Sequence, residues 1–147
     1  MELPTSGDLT RRIGDIAAKH RIHAGYHNHL QATFTLWDEA LSQSPYNGIN
    51  LDIGHYTAAT SESPIPFIRK HHARITSIHM KDRKKNKGDN VPWGKGDTPI
   101  RDVLQLMKQE RYTFPATIEL EYRVEGSDAM AELRRCVQFC KDALANS

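Results

Sequence analysis

The chain has 147 residues, enough for one domain with its own core. Hydrophobic residues make up 38%, and no apolar run approaches the ~20 residues a membrane helix needs, so no membrane partner is expected. Twenty basic against eighteen acidic residues leave a charge of +2, too balanced to argue for a nucleic-acid partner.

The opening MELPTSGDLTRR lacks the apolar core of a signal peptide. The two cysteines, Cys136 and Cys140, are four apart on an expected helix and read as packing residues rather than a disulfide framework. A reducing, cytoplasmic setting is therefore the expectation. Eight histidines are the one compositional oddity.

In chain order, Ser6 or Asp8 can cap a first helix with Leu9, Ile13, Ile16 and Ala17 on one face. His23 to His27 reads as a strand, and Phe34 to Leu41 as a short helix ended by Ser44-Pro45 and Asn47-Gly48. A strand from Gly48 to Ile53 follows, then a helix from Pro64 to His72 with proline in its first turn. Arg74 to Met80 is the third strand, and Asp82 to Thr98 a long polar loop. Ile100, Val103, Leu104 and Met107 mark the next helix. Ala116 to Glu121 is the last strand, and Leu133, Val137, Cys140 and Leu144 mark the final helix.

This alternation predicts one α/β domain over residues 1–147, with a parallel sheet and right-handed crossovers. Ile49, Leu51 and Ile53 share one strand face and oppose Asn50 and Asp52. Thr76, Ile78 and Met80 oppose Ser77 and His79. Ile118 and Leu120 oppose Thr117, Glu119 and Glu121. One face is apolar and should meet the helices; the other turns polar toward the C-terminal strand ends. A two-sided sheet would be apolar on both faces. A barrel with outer helices and a site at its C-terminal mouth fits better. No glycine-rich dinucleotide fingerprint follows any strand.

Four strand ends carry residues that metals favour, in GYHNH, NLDIGH, SIHMKD and TIELEY. The candidates are His27, Asp52, His79 and Glu119, spaced 25, 27 and 40 positions apart. Asp52 can cap a turn or supply a hard oxygen ligand. His79 can be a satisfied core histidine or a ligand. Glu119 and Glu121 share a strand face, and two inward carboxylates without a cation would be unfavourable, so a cation is expected nearby. Alternatively, Glu121 lies beyond the strand and pairs with Arg123. Lys81 can hold a substrate phosphate or hydroxyl, or be a solvated charge. His29 can contact substrate or be an ordinary polar residue, and His55, just past its strand, can be a turn histidine with no role. The loop's Arg83, Lys84, Lys85 and Lys87 are a solvated run or a lid, with Trp93 stacking on a sugar ring.

Together, YHNH, LDIGH, HMKD, the GKGDTPI loop and IELE resemble the xylose isomerase-like TIM barrels, the superfamily of sugar phosphate isomerases/epimerases and endonuclease IV. The resemblance runs from about Gly25 to the C-terminus. It implies that His27, Asp52, His79 and Glu119 are the metal ligands at barrel strands five to eight, and that Glu119 is the catalytic base. Many members carry glutamate where His27 stands. It also implies that His55 either supports a ligand or binds substrate.

A full barrel needs eight β/α units and this chain has four, so the expected architecture is a C-terminal half-barrel of about four parallel strands. Pairing of two copies into a homodimer would remove the open edges. The leading functional expectation is a metal-dependent isomerase or epimerase of a small-molecule sugar or sugar phosphate, working through an enediolate. Imidazole ligands favour Mn, Zn, Co or Fe over Mg. The alternatives are a non-catalytic or truncated half-barrel that binds metal, a lyase or hydrolase of oxidised sugars, and an endonuclease IV-like phosphodiesterase.

Overall fold

Alternating helices and parallel strands build one open sheet, in a computed structural model that describes residues 1–145. The strands are β1 (Ala24–His27), β2 (Asn47–Asp52), β3 (Ile75–Met80) and β4 (Ala116–Ile118). They pair in sequence order, every pair parallel. The helices are α1 (Gly7–His20), α2 (Asp38–Gln43), α3 (Ile53–Thr60), α4 (Ile65–His71), α5 (Ile100–Gln109) and α6 (Ala129–Ala145). No helix among the described residues is long and apolar enough to cross a membrane.

Strand alternation sets the two faces. Ile49 and Leu51 of β2 and Ile78 and Met80 of β3 are buried in one cluster with Phe67 and Ile68 of α4 and Ile100 and Val103 of α5. Asn50 and Asp52 pair in register with Ser77 and His79 on the opposite, polar face.

One detail of β3 differs from simple alternation. Ile49 pairs with Ile75, yet Asn50 pairs with Ser77, so Thr76 is an extra residue. Such a bulge shifts the phase of the strand that follows it. Ile75 therefore takes the apolar position and Thr76 leaves it. The Thr76 side chain lies where a Cβ on Gly25 or Gly48 would sit, so these glycines make room for the bulge. Beyond it, Ile78 faces the helices and His79 faces the polar side beside Asp52.

Other boundaries moved for identifiable reasons. The expected strand through Ile53 stops at Asp52, and α3 begins at once. Asp52 caps that helix, its Oδ1 accepting from the His55 N–H at 2.7 Å. Ile53 through Ala58 are all buried, so α3 has no polar stripe to give a helical period away. The expected helix from Phe34 starts later, at Asp38. The last strand ends at Ile118 rather than Glu121, but the Glu119 N–H still donates to the Met80 carbonyl at 3.0 Å. Ser6 stands at the N-cap of α1 without a side-chain cap bond. Of that helix's expected apolar face, Ala17 is buried while Leu9 and Ile16 are exposed.

The sheet edges are treated differently. At the β1 edge, Glu2 forms a parallel bridge with His27, and the Met1 carbonyl accepts from the His27 N–H at 2.7 Å. At the far edge, β4 pairs with β3 alone among the described strands.

Candidate metal centre

The four strand ends converge. His27 closes β1, Asp52 closes β2, His79 lies one residue before the end of β3, and Glu119 follows β4 directly. One ligand atom from each lies within 4.8 Å of all the others. Parallel pairing brings this about: Asp52 is directly opposite His79, and the His27 and His79 rings are 4.6 Å apart between centroids.

Asn28 fixes the Asp52 end of the cage. Its side chain is buried, donates to the Asp52 carbonyl at 3.1 Å and accepts from the Asp52 N–H at 2.9 Å. Asn28→Ala leaves two buried backbone groups without these partners, at ~1–3 kcal/mol each. We expect a stability loss of about 2–6 kcal/mol in urea unfolding; a loss below about 0.5 kcal/mol would contradict this clamp.

Charge in the cage is organised around Lys81, which is almost wholly buried. Its Nζ lies 3.0 Å from Asp52 Oδ2, 3.0 Å from Glu119 Oε1 and 2.8 Å from Glu121 Oε2. It is therefore not a solvated loop charge. Burial by itself would lower its pKa, but Asp52, Glu121 and Glu119 outweigh that and raise it. The cation expected beside Glu119 and Glu121 is thus present as a side chain. Glu121 pairs with Lys81 rather than with Arg123, and also accepts from Asn90 at 3.3 Å.

The donors suit a metal. Burial pushes the Asp52 carboxyl up to about 6 despite Lys81, so it is mostly ionised at neutral pH. Its Oδ2 is buried against the Lys81 ammonium, 3.0 Å away. His27 Nδ1 is buried without a partner. Burial, with the neighbouring His79 and His29, lowers His27 to about 4, leaving the neutral imidazole a metal requires. Glu119 is lowered to about 2, chiefly by its hydrogen bond with His79 and also by Lys81. The His79 Nδ1 to Glu119 Oε2 distance is 2.5 Å. An ionised carboxylate only accepts, so Nδ1 carries the hydrogen, and Nε2 of a neutral His79 ring has its lone pair free. A buried imidazole nitrogen without a partner, on His27, and two imidazoles among carboxylates fit a divalent ion.

The remaining sequence candidates divide. The half-exposed His29 pairs with Glu2 at 3.0 Å, and its ring lies 4.9 Å from those of His27 and His55. His55 is buried between cations: Nδ1 meets Arg83 Nη1 at 2.7 Å and Nε2 meets Lys81 Nζ at 3.0 Å. Burial and these two charges lower it to about 3. Trp93 packs edge-on against Phe139 of α6, ring centroids 5.8 Å apart, and no hydrogen bond or ring contact joins it to the cluster.

Sequence reasoning assigned no site role to Asn28 or Asp82, and read Arg83 as part of a solvated run or a lid. Asp82 is buried and accepts from the N–H groups of Gly94, Gly96 and Thr98, fastening the long loop back to the end of β3. Arg83 grips the Gly88 carbonyl and His55. The available signal for Asp82 was an acidic residue at the loop's start with two glycines near its end.

Comparison with known proteins bears on the fold. No curated protein sequence matches the chain. Among solved structures, a xylose isomerase domain protein from Planctomyces limnophilus superposes with TM-score 0.78 at 23% identity, over 96% of this chain and 54% of that one. A D-tagatose 3-epimerase-like protein gives TM-score 0.73 at 21% identity, over 95% and 53%. The 3-keto-D-glucoside 4-epimerase of E. coli gives 0.69 at 14%, over 97% and 57%. The chain thus spans about half the length of the structures it matches, and the open sheet corresponds to half of a TIM barrel. A family profile matches residues 4–142, and the chain belongs to the xylose isomerase-like TIM barrel family.

Proposed function

We propose that this chain carries the metal-binding half of a sugar isomerase or epimerase active site. The observation that carries the reading is the convergence of His27, Asp52, His79 and Glu119 at the C-terminal strand ends. The names of two structural neighbours, a D-tagatose 3-epimerase-like protein and a 3-keto-D-glucoside 4-epimerase, support the substrate class. Two imidazoles favour zinc, manganese, iron or cobalt over magnesium.

A bound dication would polarise the oxygens of a keto or hydroxy sugar and acidify the C–H between them. The protein's part is to orient the sugar and move the proton. Glu119 is the base: it is ionised at neutral pH, and His79 and Lys81 hold its two oxygens in place. Those same contacts weaken it as a base, so proton transfer requires one of them to loosen. His29, half exposed beside His27 and His55, is the candidate to bind a sugar hydroxyl. The test is solvent deuterium incorporation into a panel of ketoses and their phosphates by metal-loaded protein. Incorporation at the carbon beside the carbonyl is expected; none across the panel would contradict the isomerase reading.

The whole pocket needs a second set of strands, and we propose that a second copy of this chain supplies it. Leu9 and Ile16 are exposed on α1 at one side of the sheet. At the other, Val137 and Leu144 of α6 flank an apolar groove beside β4, lined also by Leu104 and Ile118. Apolar groups at both edges suit closure of two copies about a two-fold axis. Light scattering at low micromolar concentration should give twice the chain mass; a stable, cooperatively unfolding monomer would contradict it.

A further inference from the structure

Lys81 is an unusual neighbour for a metal centre. Its ammonium contacts two of the four candidate ligands, Asp52 and Glu119, and one carboxylate outside that set, Glu121. We propose that Lys81 is the built-in counter-ion of this site, and that a divalent cation enters by displacing its ammonium group from Asp52 and Glu119 onto Glu121. The proposal rests on the metal-site reading above and adds a residue that sets the affinity of that site.

Three observations carry it. The first is charge. Asp52, Glu119 and Glu121 bring three negative charges and Lys81 one positive, leaving a deficit of two that one dication neutralises. The neutral arrangement pairs the dication with Asp52 and Glu119, and Lys81 with Glu121.

The second is space. Asp52 Oδ1 is engaged by the His55 N–H, so Oδ2, which faces the Lys81 ammonium, is the oxygen open to exchange. A metal bound to Oδ2 at ~2.1 Å and an ammonium 3.0 Å from the same atom lie within about 5 Å of each other. Two cations at that separation in a buried site repel strongly. The lysine stem is flexible, whereas the ligands are fixed by strand ends and by Asn28.

The third is a mismatch in the present arrangement. Arg83 can only donate, so His55 Nδ1 accepts, and the hydrogen of the neutral ring sits on Nε2. That nitrogen faces Lys81 Nζ at 3.0 Å, donor against donor. Lys81 is thus held by its carboxylates against an unfavourable fourth neighbour. Glu121 offers a way out: its side chain is 46% exposed, against 2% for that of Lys81. A lysine that follows Glu121 moves toward the rim.

Two measurements on the full chain test this, with Zn(II) as the probe. Zn(II) affinity is measured by chelator competition for the wild type, Lys81→Met and His79→Ala. Lys81→Met should bind at least about tenfold more tightly than the wild type, and His79→Ala should lose binding. In parallel, acetic anhydride labelling of the wild type is read by peptide mass spectrometry with and without Zn(II). Lys81 should be protected without the metal and label several-fold faster with it. Equal or weaker binding by Lys81→Met, with wild-type binding intact, would overturn the counter-ion role alone. So would a Lys81 that stays protected when Zn(II) is bound, a result that stands even if Lys81→Met fails to fold. Absence of Zn(II) binding by the wild type would instead overturn the metal-site reading, and this inference with it.

Discussion

Glu119→Gln is expected to abolish solvent proton exchange at the substrate carbon while leaving the fold intact. Glutamine has nearly the shape of glutamate, so it can still accept a hydrogen bond from His79 or Lys81, but it cannot take up a proton. A positioned general base contributes ~10²–10⁴-fold to rate, and exchange should fall by that much or more. The loss should exceed that of His29→Ala, because His29 is half exposed and would touch the sugar rather than its reacting hydrogen. Because Glu119 is also a candidate ligand, metal content is measured on the same sample. Exchange at the wild-type rate in metal-loaded Glu119→Gln would remove this residue as the base.

Asp52→Asn is expected to weaken metal binding by at least about a hundredfold. Losing an outer partner of a ligand typically costs 10–100-fold, and here a ligand itself loses its charge. Asparagine is as good an N-cap as aspartate, so α3 keeps its start and the change isolates charge from fold. Lys81 also loses one of its three carboxylates, so the metal-free protein itself should be altered. Chelator competition against Zn(II) checks the affinity, and a shift of less than threefold would show that Asp52 serves only as a helix cap.

The candidate ligands were legible in the sequence because strand alternation and chain order carry that information. Ile49 and Leu51 against Asn50 and Asp52 displayed the two faces directly, and the structure keeps them. The resemblance to the barrel family supplied the ligand set, and the four side chains do converge. What was not legible depended on contacts between distant positions. The bulge at Thr76 needs the glycines at 25 and 48 on neighbouring strands, which periodicity along β3 alone cannot reveal. Helix α3 was missed because it is buried on every side and carries no amphipathic signal. Lys81 read as a choice between a substrate contact and a surface charge. Its burial follows from three carboxylates that lie 29, 38 and 40 positions away. Trp93 reads as a stacking surface for a sugar within a lid, and nothing beside it in the chain reveals its edge-on contact with Phe139 on the last helix.

The central claim is that His27, Asp52, His79 and Glu119 hold one divalent metal. Elemental analysis of protein expressed in metal-supplemented medium and freed of loosely bound ions tests it most directly. The expected result is one zinc, manganese, iron or cobalt ion per wild-type chain and close to none in folded His79→Ala. Equal metal content in the two proteins would contradict the site.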